Sequence, residues 1–377
     1  MKSTENLLMV ADSEHDANML YAVGMFVPDP FIYLQLRGKK FAVMSDLEID
    51  RARKSARGCR ILSLTSIQEK LKAAGSRQSG VAEVIRHILK DHGVASVLVP
   101  ELFPLKLAND LEQAGVAVKV KAGSFFPQRE FKSADEIRKI TAALRMAEAG
   151  MAAGMAALRA SRIGRQRRLI YRGSPFTSEK LRAIIDTAIL LAGGLASHTI
   201  VACGKQGCDP HETGHGPLRA NEPIILDLFP RSQSTGYFGD ITRTVVRGRA
   251  GEAVRKLYDT VLRGQKLALS RVRAGVATTE VHRGVQDFFE QQGYRTGRRA
   301  GRMEGFFHGT GHGVGLEIHE PPRLGTTSRG VLSPGQVVTV EPGLYYPGLG
   351  GVRLEDMVVV TRNGCRNMTR FVKSLEL

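Results

Sequence analysis

The chain has 377 residues, with 54 Lys and Arg against 37 Asp and Glu, and a net charge of +17. This length exceeds one ordinary domain of roughly 100–200 residues, so two domains are expected. No apolar run reaches the about 18 residues of a membrane span. Acidic residues interrupt the N-terminus before the apolar core of a signal peptide develops. A cytoplasmic protein with no membrane segment is therefore predicted.

The basic charge alone is weak support for a nucleic-acid partner. Arginines occur along the whole chain, with local clusters at 162–172 and 295–302, and such clusters are usually solvated faces. They lack the interleaved aromatic residues of a groove for single strands, and Trp is absent. Nucleic-acid binding is therefore not expected to be the main role.

The cysteines are too few and too scattered for a disulfide framework. They are Cys59, Cys203, Cys208 and Cys365. Cys203, Cys208 and His211 are close enough in sequence to suggest zinc, but a structural zinc site needs four ligands and no second pair follows nearby. Free thiols are the favoured interpretation.

The first 130 residues alternate between short apolar runs and polar helical stretches, which is an α/β pattern. The predicted strands are 31–36, 41–45, 61–64 and 95–99, and the predicted helices are 80–92 and 105–114. A Pro follows in SFFPQREFKSADE, and then Ser133 and Glu136 form the sequence of a capping box, which predicts a long alanine-rich helix to about Ser161. The predicted domains are therefore 1–130 and 131–377.

The second domain is predicted to mix helices with strands joined by short turns. The helices are expected at 178–192, 252–273 and 279–292, and the strands at 224–228, 241–246, 337–341 and 353–360. The strands are branched or apolar runs bounded by Gly, Pro and Asn. This arrangement favours an α+β domain with an antiparallel sheet.

Four carboxylates lie at the ends of, or within, these apolar strands. Asp227 follows PIIL, Asp240 precedes ITRTVV, Glu341 follows VVTV, and Glu355 lies within GGVRLEDMVVV. Gathered in one core without cations, four carboxylates would repel one another strongly. The pattern therefore predicts two divalent ions, and oxygen ligands with imidazole suit Mn²⁺, Fe²⁺, Co²⁺ or Zn²⁺ without selecting among them.

An imidazole for this site is offered by the segment HGTGHGVGLEIHEPP. His308, His312 and His319 occur there among four glycines, which allow the backbone to approach a ligand closely. Clustered histidines and acids are typical of a metal or catalytic site.

These motifs together resemble the pita-bread metallopeptidases, which include methionine aminopeptidases, Xaa-Pro aminopeptidases and Xaa-Pro dipeptidases. The resemblance lies in the order Asp, Asp, His, Glu, Glu, and in DITRT, GHGVGLEIHE, EPG and RLED around them. It covers about Lys132 to the C-terminus and implies a curved, mostly antiparallel sheet. The N-terminal α/β region resembles the extra domain of the creatinase and Xaa-Pro branch.

The resemblance also implies a role for each ligand. Asp227 would chelate one metal, His312 and Glu341 the other, and Asp240 and Glu355 would bridge the two. A hydroxide between the ions would be the nucleophile, since metals lower the pKa of bound water. Glu341 would also shuttle a proton to the leaving amine.

Arg353 lies two residues before Glu355 on a predicted strand, so both side chains are expected on the same face. A permanent cation would then lie beside a ligand carboxylate, with a supporting or substrate-binding role. The alternative is an arginine that only pairs with surface acids.

Three further histidines take their predicted roles from the resemblance. His319 resembles the histidine that contacts the scissile carbonyl, and His211 resembles one that lines the substrate pocket, with His215 as the alternative. His308 fits the Xaa-Pro branch better than the methionine aminopeptidases. Proline specificity is therefore favoured.

One feature departs from the family pattern. Asp227 and Asp240 are thirteen positions apart, two more than the resemblance implies. The residues RSQSTG between them are turn formers, so a longer hairpin loop is expected to absorb the difference. A shift of register would instead turn one Asp to the opposite face.

The resemblance thus implies a homodimeric metallo-exopeptidase acting on Xaa-Pro peptides or dipeptides. Whether it is an aminopeptidase or a dipeptidase stays open. Two alternatives also stay open: a non-catalytic pita-bread binding protein that uses its basic surface, and a creatinase-like amidinohydrolase that needs no five-ligand set.

Overall fold

The structure is a computed structural model that describes residues 5–56, 58–76 and 79–377. The chain divides into two compact units, Met1–Arg129 and Glu130–Leu377. This division lies next to the boundary expected from the sequence. The kinship of the first unit with the creatinase-type domain stays a prediction.

The first unit contains a mixed sheet of six strands with helices between them. Its elements are β1 (Leu7–Ala11), α1 (Ala17–Val23), β2 (Phe31–Leu36), β3 (Lys39–Met44), α2 (Ile49–Ser55), β4 (Arg60–Ser63), α3 (Leu64–Ala73), α4 (Val81–Asp91), β5 (Ser96–Val99), α5 (Leu105–Gln113) and β6 (Ala117–Val120). A 3₁₀ helix, Pro127–Glu130, follows. The strand order is β4-β3-β2-β1-β5-β6, in which β1–β2 and β2–β3 are antiparallel and the other pairs are parallel.

Both faces of the central strands are buried, which explains their continuous apolar sequences. In β2, Phe31 and Tyr33 belong to one core cluster, and Ile32 and Leu34 belong to the other. Helices α1 and α2 contribute to the first cluster, whereas α3, α4 and α5 contribute to the second. The predicted α/β class of this region is confirmed.

The second unit begins with a long helix and is otherwise rich in short strands. Its elements are α6 (Ala134–Ala160), β7 (Arg162–Ile163), β8 (Leu169–Tyr171), β9 (Ser174–Pro175), α7 (Ser178–Leu191), β10 (Gly194–Leu195), β11 (Ile200–Cys203), β12 (Ile224–Leu228), β13 (Arg231–Ser232), β14 (Ile241–Val245), α8 (Glu252–Arg271), α9 (Thr278–Gln291), β15 (Gly297–Arg299), β16 (Arg302–Glu304), β17 (Gly311–Gly313), β18 (Glu320–Leu324), β19 (Val337–Val340), β20 (Gly343–Tyr346), β21 (Gly350–Arg353), β22 (Asp356–Val360) and β23 (Cys365–Asn367). Short 3₁₀ helices occupy Arg165–Arg167 and Gly204–Cys208.

Two antiparallel sheets position the residues predicted for the site. One has the order β11-β12-β14, and the other has the order β18-β17-β19-β22-β23. Helices α8 and α9 share a core cluster with β19 and β22. The expected α+β architecture with an antiparallel sheet is confirmed.

Helix α6 begins as the capping box predicts. The backbone N–H of Ser133 donates to Glu136 Oε2 at 2.9 Å, and the backbone N–H of Glu136 donates to Ser133 Oγ at 3.3 Å. Its glycines bring it close to α7, since a Cβ at Gly150 would lie only 2.6 Å from Ile189 Cγ1. The alanine- and glycine-rich sequence of α6 therefore serves close helix packing.

The prediction of one strand over 353–360 is wrong. Strand β21 ends at Arg353 and pairs with β20, whereas β22 begins at Asp356 and pairs with β19 and β23. The chain changes pairing partners between these strands, and the backbone N–H of Glu355 donates to Thr242 O at 3.1 Å. Glu355 thus lies where the chain passes between sheets.

Within the described part of the chain, none of the helices combines the length and the apolar character needed to cross a membrane.

Candidate metal centre and active site

The strand register brings the two predicted aspartate ligands to one face. Asp227 of β12 pairs with Thr242 of β14, and paired residues of antiparallel strands point to the same side. Asp240 precedes Thr242 by two positions and so shares its face. The longer connection is taken up by β13 and a turn in which the N–H of Gly236 donates to Ser232 O at 2.9 Å.

A buried group of three side chains forms the centre of the site. Ligand atoms of Asp240, His312 and Glu355 all lie within 4.8 Å of one another, and the three residues are 4%, 6% and 1% exposed. Over residues 5–56, 58–76 and 79–377, no other set of three His, Cys, Asp or Glu side chains is grouped in this way. The side chains of Cys203, Cys208 and His211 are therefore not gathered in such a set.

The electrostatics of this group call for a cation. Burial, and then the neighbouring carboxylates, raise the pKa values of Asp240 and Glu355 well above the usual range. Oε1 of Glu355 is buried, and no described N–H or O–H group donates to it, whereas Oε2 accepts from Thr242 Oγ1 at 2.7 Å. Two carboxylates, one imidazole and an oxygen without a donor fit a divalent ion.

Glu341 lies directly beside the group, with Oε1 3.1 Å from His312 Nε2. Burial raises the pKa of Glu341, but the contact with His312 more than offsets this and holds it at about 2. His312 Nδ1 lies 3.1 Å from Gly313 O, a group that only accepts, so Nδ1 donates there. Nε2 is therefore the nitrogen directed toward the carboxylates and available to a metal.

Asp227 is held at the edge of the site by a buried arginine. Arg353 Nη2 lies 2.6 Å from Asp227 Oδ2, and Arg353 is 3% exposed. The strand that was predicted to carry both Arg353 and Glu355 ends at Arg353. The carboxylate that the guanidinium group binds is that of Asp227.

A hydrogen-bond chain continues from this arginine to His308. Arg353 Nη1 donates to the hydroxyl of Tyr345 at 2.9 Å, and that hydroxyl lies 2.8 Å from His308 Nε2. Because arginine cannot accept, the Tyr345 proton points to Nε2, and His308 Nδ1 donates to Gly309 O at 2.8 Å. Burial lowers the pKa of His308 to about 4, so its ring is neutral.

Tyr345 was not singled out by the sequence analysis. Its position in the short apolar run GLYY, which overlaps EPG, indicates a buried tyrosine. A buried tyrosine hydroxyl needs a hydrogen-bond partner, so Tyr345 could have been predicted to bond a polar residue of the site.

The remaining histidines differ in their exposure. The His319 ring lies edge-on to His312, with centroids 4.4 Å apart. Burial, then the charges of His312 and Arg323, lower the pKa of His319 to about 4. His211 is exposed but close enough to contribute to that shift, whereas His215 lies 3.6 Å from Glu212. This favours His211 over His215, although its role in substrate binding stays a prediction.

The fold is that of a pita-bread protein, and the site contains a buried group that could hold a metal ion. Residues 138–362 match metallopeptidase family M24. This match covers more than half of the chain, and the chain belongs to this family.

Three similar proteins are named as Xaa-Pro dipeptidases or as an X-Pro aminopeptidase. The Xaa-Pro dipeptidase of Pyrococcus furiosus is 33% identical over 181 residues, which are 48% of this chain and 49% of that protein. The chain thus spans about half the length of the curated relatives it matches first. An Xaa-Pro dipeptidase structure from Bacillus anthracis has a TM-score of 0.82 at 24% identity and covers 99% of this chain and 95% of its own. The X-Pro aminopeptidase from Thermotoga maritima also reaches 0.82, at 21% identity, over 99% and 98% of the two chains. At these identities the structures establish the fold.

Proposed function

We propose that this chain is a dinuclear metal-dependent exopeptidase that cleaves the N-terminal residue from Xaa-Pro peptides or dipeptides. The observation that carries the proposal is the buried group of Asp240, His312 and Glu355, in which Glu355 Oε1 lacks a donor among the described residues. The substrate class is supported by the names of the relatives, an Xaa-Pro dipeptidase and an X-Pro aminopeptidase.

Five residues would hold the metal ions. They are Asp227, Asp240, His312, Glu341 and Glu355. Oxygen donors with one imidazole suit Mn²⁺, Co²⁺, Zn²⁺ or Fe²⁺. When bound, a pair of such ions supplies an activated water and polarises the scissile carbonyl.

The side chains around the ligands supply orientation and proton transfer. Thr339 Oγ1 and His312 Nε2 both contact Oε1 of Glu341, so we assign Oε2 to accept the proton destined for the leaving amine. Arg353 fixes the carboxylate of Asp227. His319 is neutral near pH 7 because its pKa is about 4, so its ring can donate a hydrogen bond to the scissile carbonyl while carrying no charge.

His308 supports the site through Tyr345. Its Nε2 accepts a hydrogen bond from the Tyr345 hydroxyl. His308 thereby orients the chain of hydrogen bonds that ends at Asp227. A homodimer and a cytoplasmic location complete the proposal and rest on the family resemblance and the sequence alone.

A peptide panel tests the substrate class. We would compare Xaa-Pro dipeptides, matched Xaa-Ala dipeptides and a longer Xaa-Pro peptide, after chelation and after adding Mn²⁺, Co²⁺, Zn²⁺ or Fe²⁺. Metal-restored cleavage before proline is expected, and cleavage of the longer peptide would identify an aminopeptidase. His312→Ala should abolish it, and His15→Ala serves as the matched control, because the His15 side chain is 81% exposed.

Failure of the metal-loaded protein to cleave any of these peptides would overturn the proposal. Activity on creatine that survives chelation would instead favour an amidinohydrolase. Salt-dependent binding of RNA without metal uptake would favour a binding protein.

A further inference from the structure

A buried ion pair lies outside the five predicted ligands. Lys132 Nζ is 2.9 Å from Glu320 Oε2, and the two side chains are 1% and 3% exposed. Lys132 immediately precedes the capping box of α6, and Glu320 is the first residue of β18. Both residues belong to the second unit.

The carboxylate of Glu320 closes the loop that carries His319. Oε1 accepts the backbone N–H groups of Leu316 at 3.0 Å and Glu317 at 3.1 Å. The carboxylate also lies against Gly315, where an added Cβ would be 2.5 Å from Oε2. Residues 314–319 join β17, which contains His312, to β18. The position of His319 therefore depends on where this carboxylate lies.

Lys132 supplies a buried cation to that carboxylate. The Glu320 side chain is only 3% exposed, and a charge-assisted bond to an ammonium group offsets part of the cost of burying its negative charge. Lys132 is itself fixed, because its backbone N–H donates to Gly335 O at 2.9 Å and its Nζ lies 3.4 Å from Glu130 O. The ammonium group is therefore held in a fixed position inside the second unit and is not a mobile surface charge.

We propose that Lys132 and Glu320 act as a pair of positioning residues that hold His319 edge-on to His312. Neither touches the reacting atoms; they act through the conformation of residues 314–319. The kinetic part of the test rests on the proposed peptidase function, and the structural part does not.

The structural test measures amide hydrogen exchange at Leu316 and Glu317 in the metal-loaded full chain. Lys132→Met removes the ammonium group that lies 2.9 Å from the carboxylate and should speed exchange at both amides. Lys132→Met combined with Glu320→Gln removes both charges and keeps an amide oxygen as acceptor, so protection should partly return. Lys139→Met is the matched control, because Lys139 forms an exposed pair with Asp135 at 2.9 Å. Unchanged exchange in Lys132→Met overturns the proposal.

The kinetic test is a double-mutant cycle with His319. Small displacements of a catalytic group are costly, so Lys132→Met should lower kcat at least about tenfold with little change in KM. In a His319→Ala background the same substitution should have no further effect on kcat, because the group that it positions is gone. An equal loss in both backgrounds would mean a general structural role and would overturn the proposal. If the unmodified protein cleaves no peptide, the proposed function fails, and the exchange measurement still decides this inference.

Discussion

Replacing Arg243 by Met tests how strongly a buried cation ties the ligand strands together. Arg243 is 1% exposed and forms a buried pair with Asp356 at 3.0 Å. It also donates to the carbonyl oxygens of Thr242, Glu355, Phe371 and Val372. Removing one partner of a buried pair costs about 3–5 kcal/mol. Lys373 still pairs with Asp356, so we expect the lower end, about 3 kcal/mol.

For a unit of this size, about 3 kcal/mol lowers the melting temperature by roughly 6–12 °C. The assay is differential scanning calorimetry of the chelated protein, because bound metal would add its own stabilisation. Arg255→Met is the matched control: Arg255 pairs with Glu376 at 2.8 Å, but the side chains are 51% and 39% exposed. An exposed pair contributes about 0–1 kcal/mol. If Arg243→Met lowers the melting temperature no more than Arg255→Met does, burial does not make the Arg243–Asp356 pair more stabilising than an exposed pair.

Three further predictions concern the site itself. Metal uptake at mildly acidic pH should release about one proton per chain, because burial and the neighbouring carboxylates raise the pKa values of Asp240 and Glu355. Calorimetry in buffers of different ionisation enthalpy measures the release, and a value of zero would refute the prediction. In the chelated protein, the His319 ring should stay neutral down to about pH 5, since its pKa is lowered to about 4, and a ¹⁵N NMR titration with a midpoint near that of free histidine would be the contrary result. Tyr345→Phe leaves Arg353 Nη1 without its acceptor and should lower the free energy of unfolding by about 1–3 kcal/mol, measured by denaturant titration; an unchanged value would refute it.

The sequence predicted the elements whose signals are local. The run PIILDL predicted a strand over 224–228, which is β12 as observed. The capping box of Ser133 and Glu136 predicted where α6 begins. Branched apolar runs and cap residues act within a few positions, so they can be read without tertiary information.

Features set by tertiary contacts could not be predicted in this way. The branched run over 353–360 was read as one strand, but the chain leaves one sheet for another at Glu355. Strand β6 was missed because AVKV is largely exposed and carries little periodic signal. Lys132 and Glu320 are 188 positions apart, and nothing in the local pattern links them.

For the site, too, the sequence predicted the features with local signals but not those set by tertiary contacts. The order of the five acidic and histidine ligands was visible in the sequence, because carboxylates are rare at the ends of apolar strands. That Arg353 binds Asp227, and that Tyr345 connects it to His308, depends on side-chain geometry that only the folded structure contains.

The proposed function requires that the buried carboxylates hold metal ions needed for the peptidase reaction. Its most direct test is a titration of the chelated protein with Mn²⁺, in which bound metal is counted by mass spectrometry and cleavage of an Xaa-Pro dipeptide is followed in the same samples. Activity should rise with bound metal and level off at two ions per chain, and Glu355→Ala should lose both metal binding and activity. Full activity in a sample that contains no bound metal would contradict the proposed function.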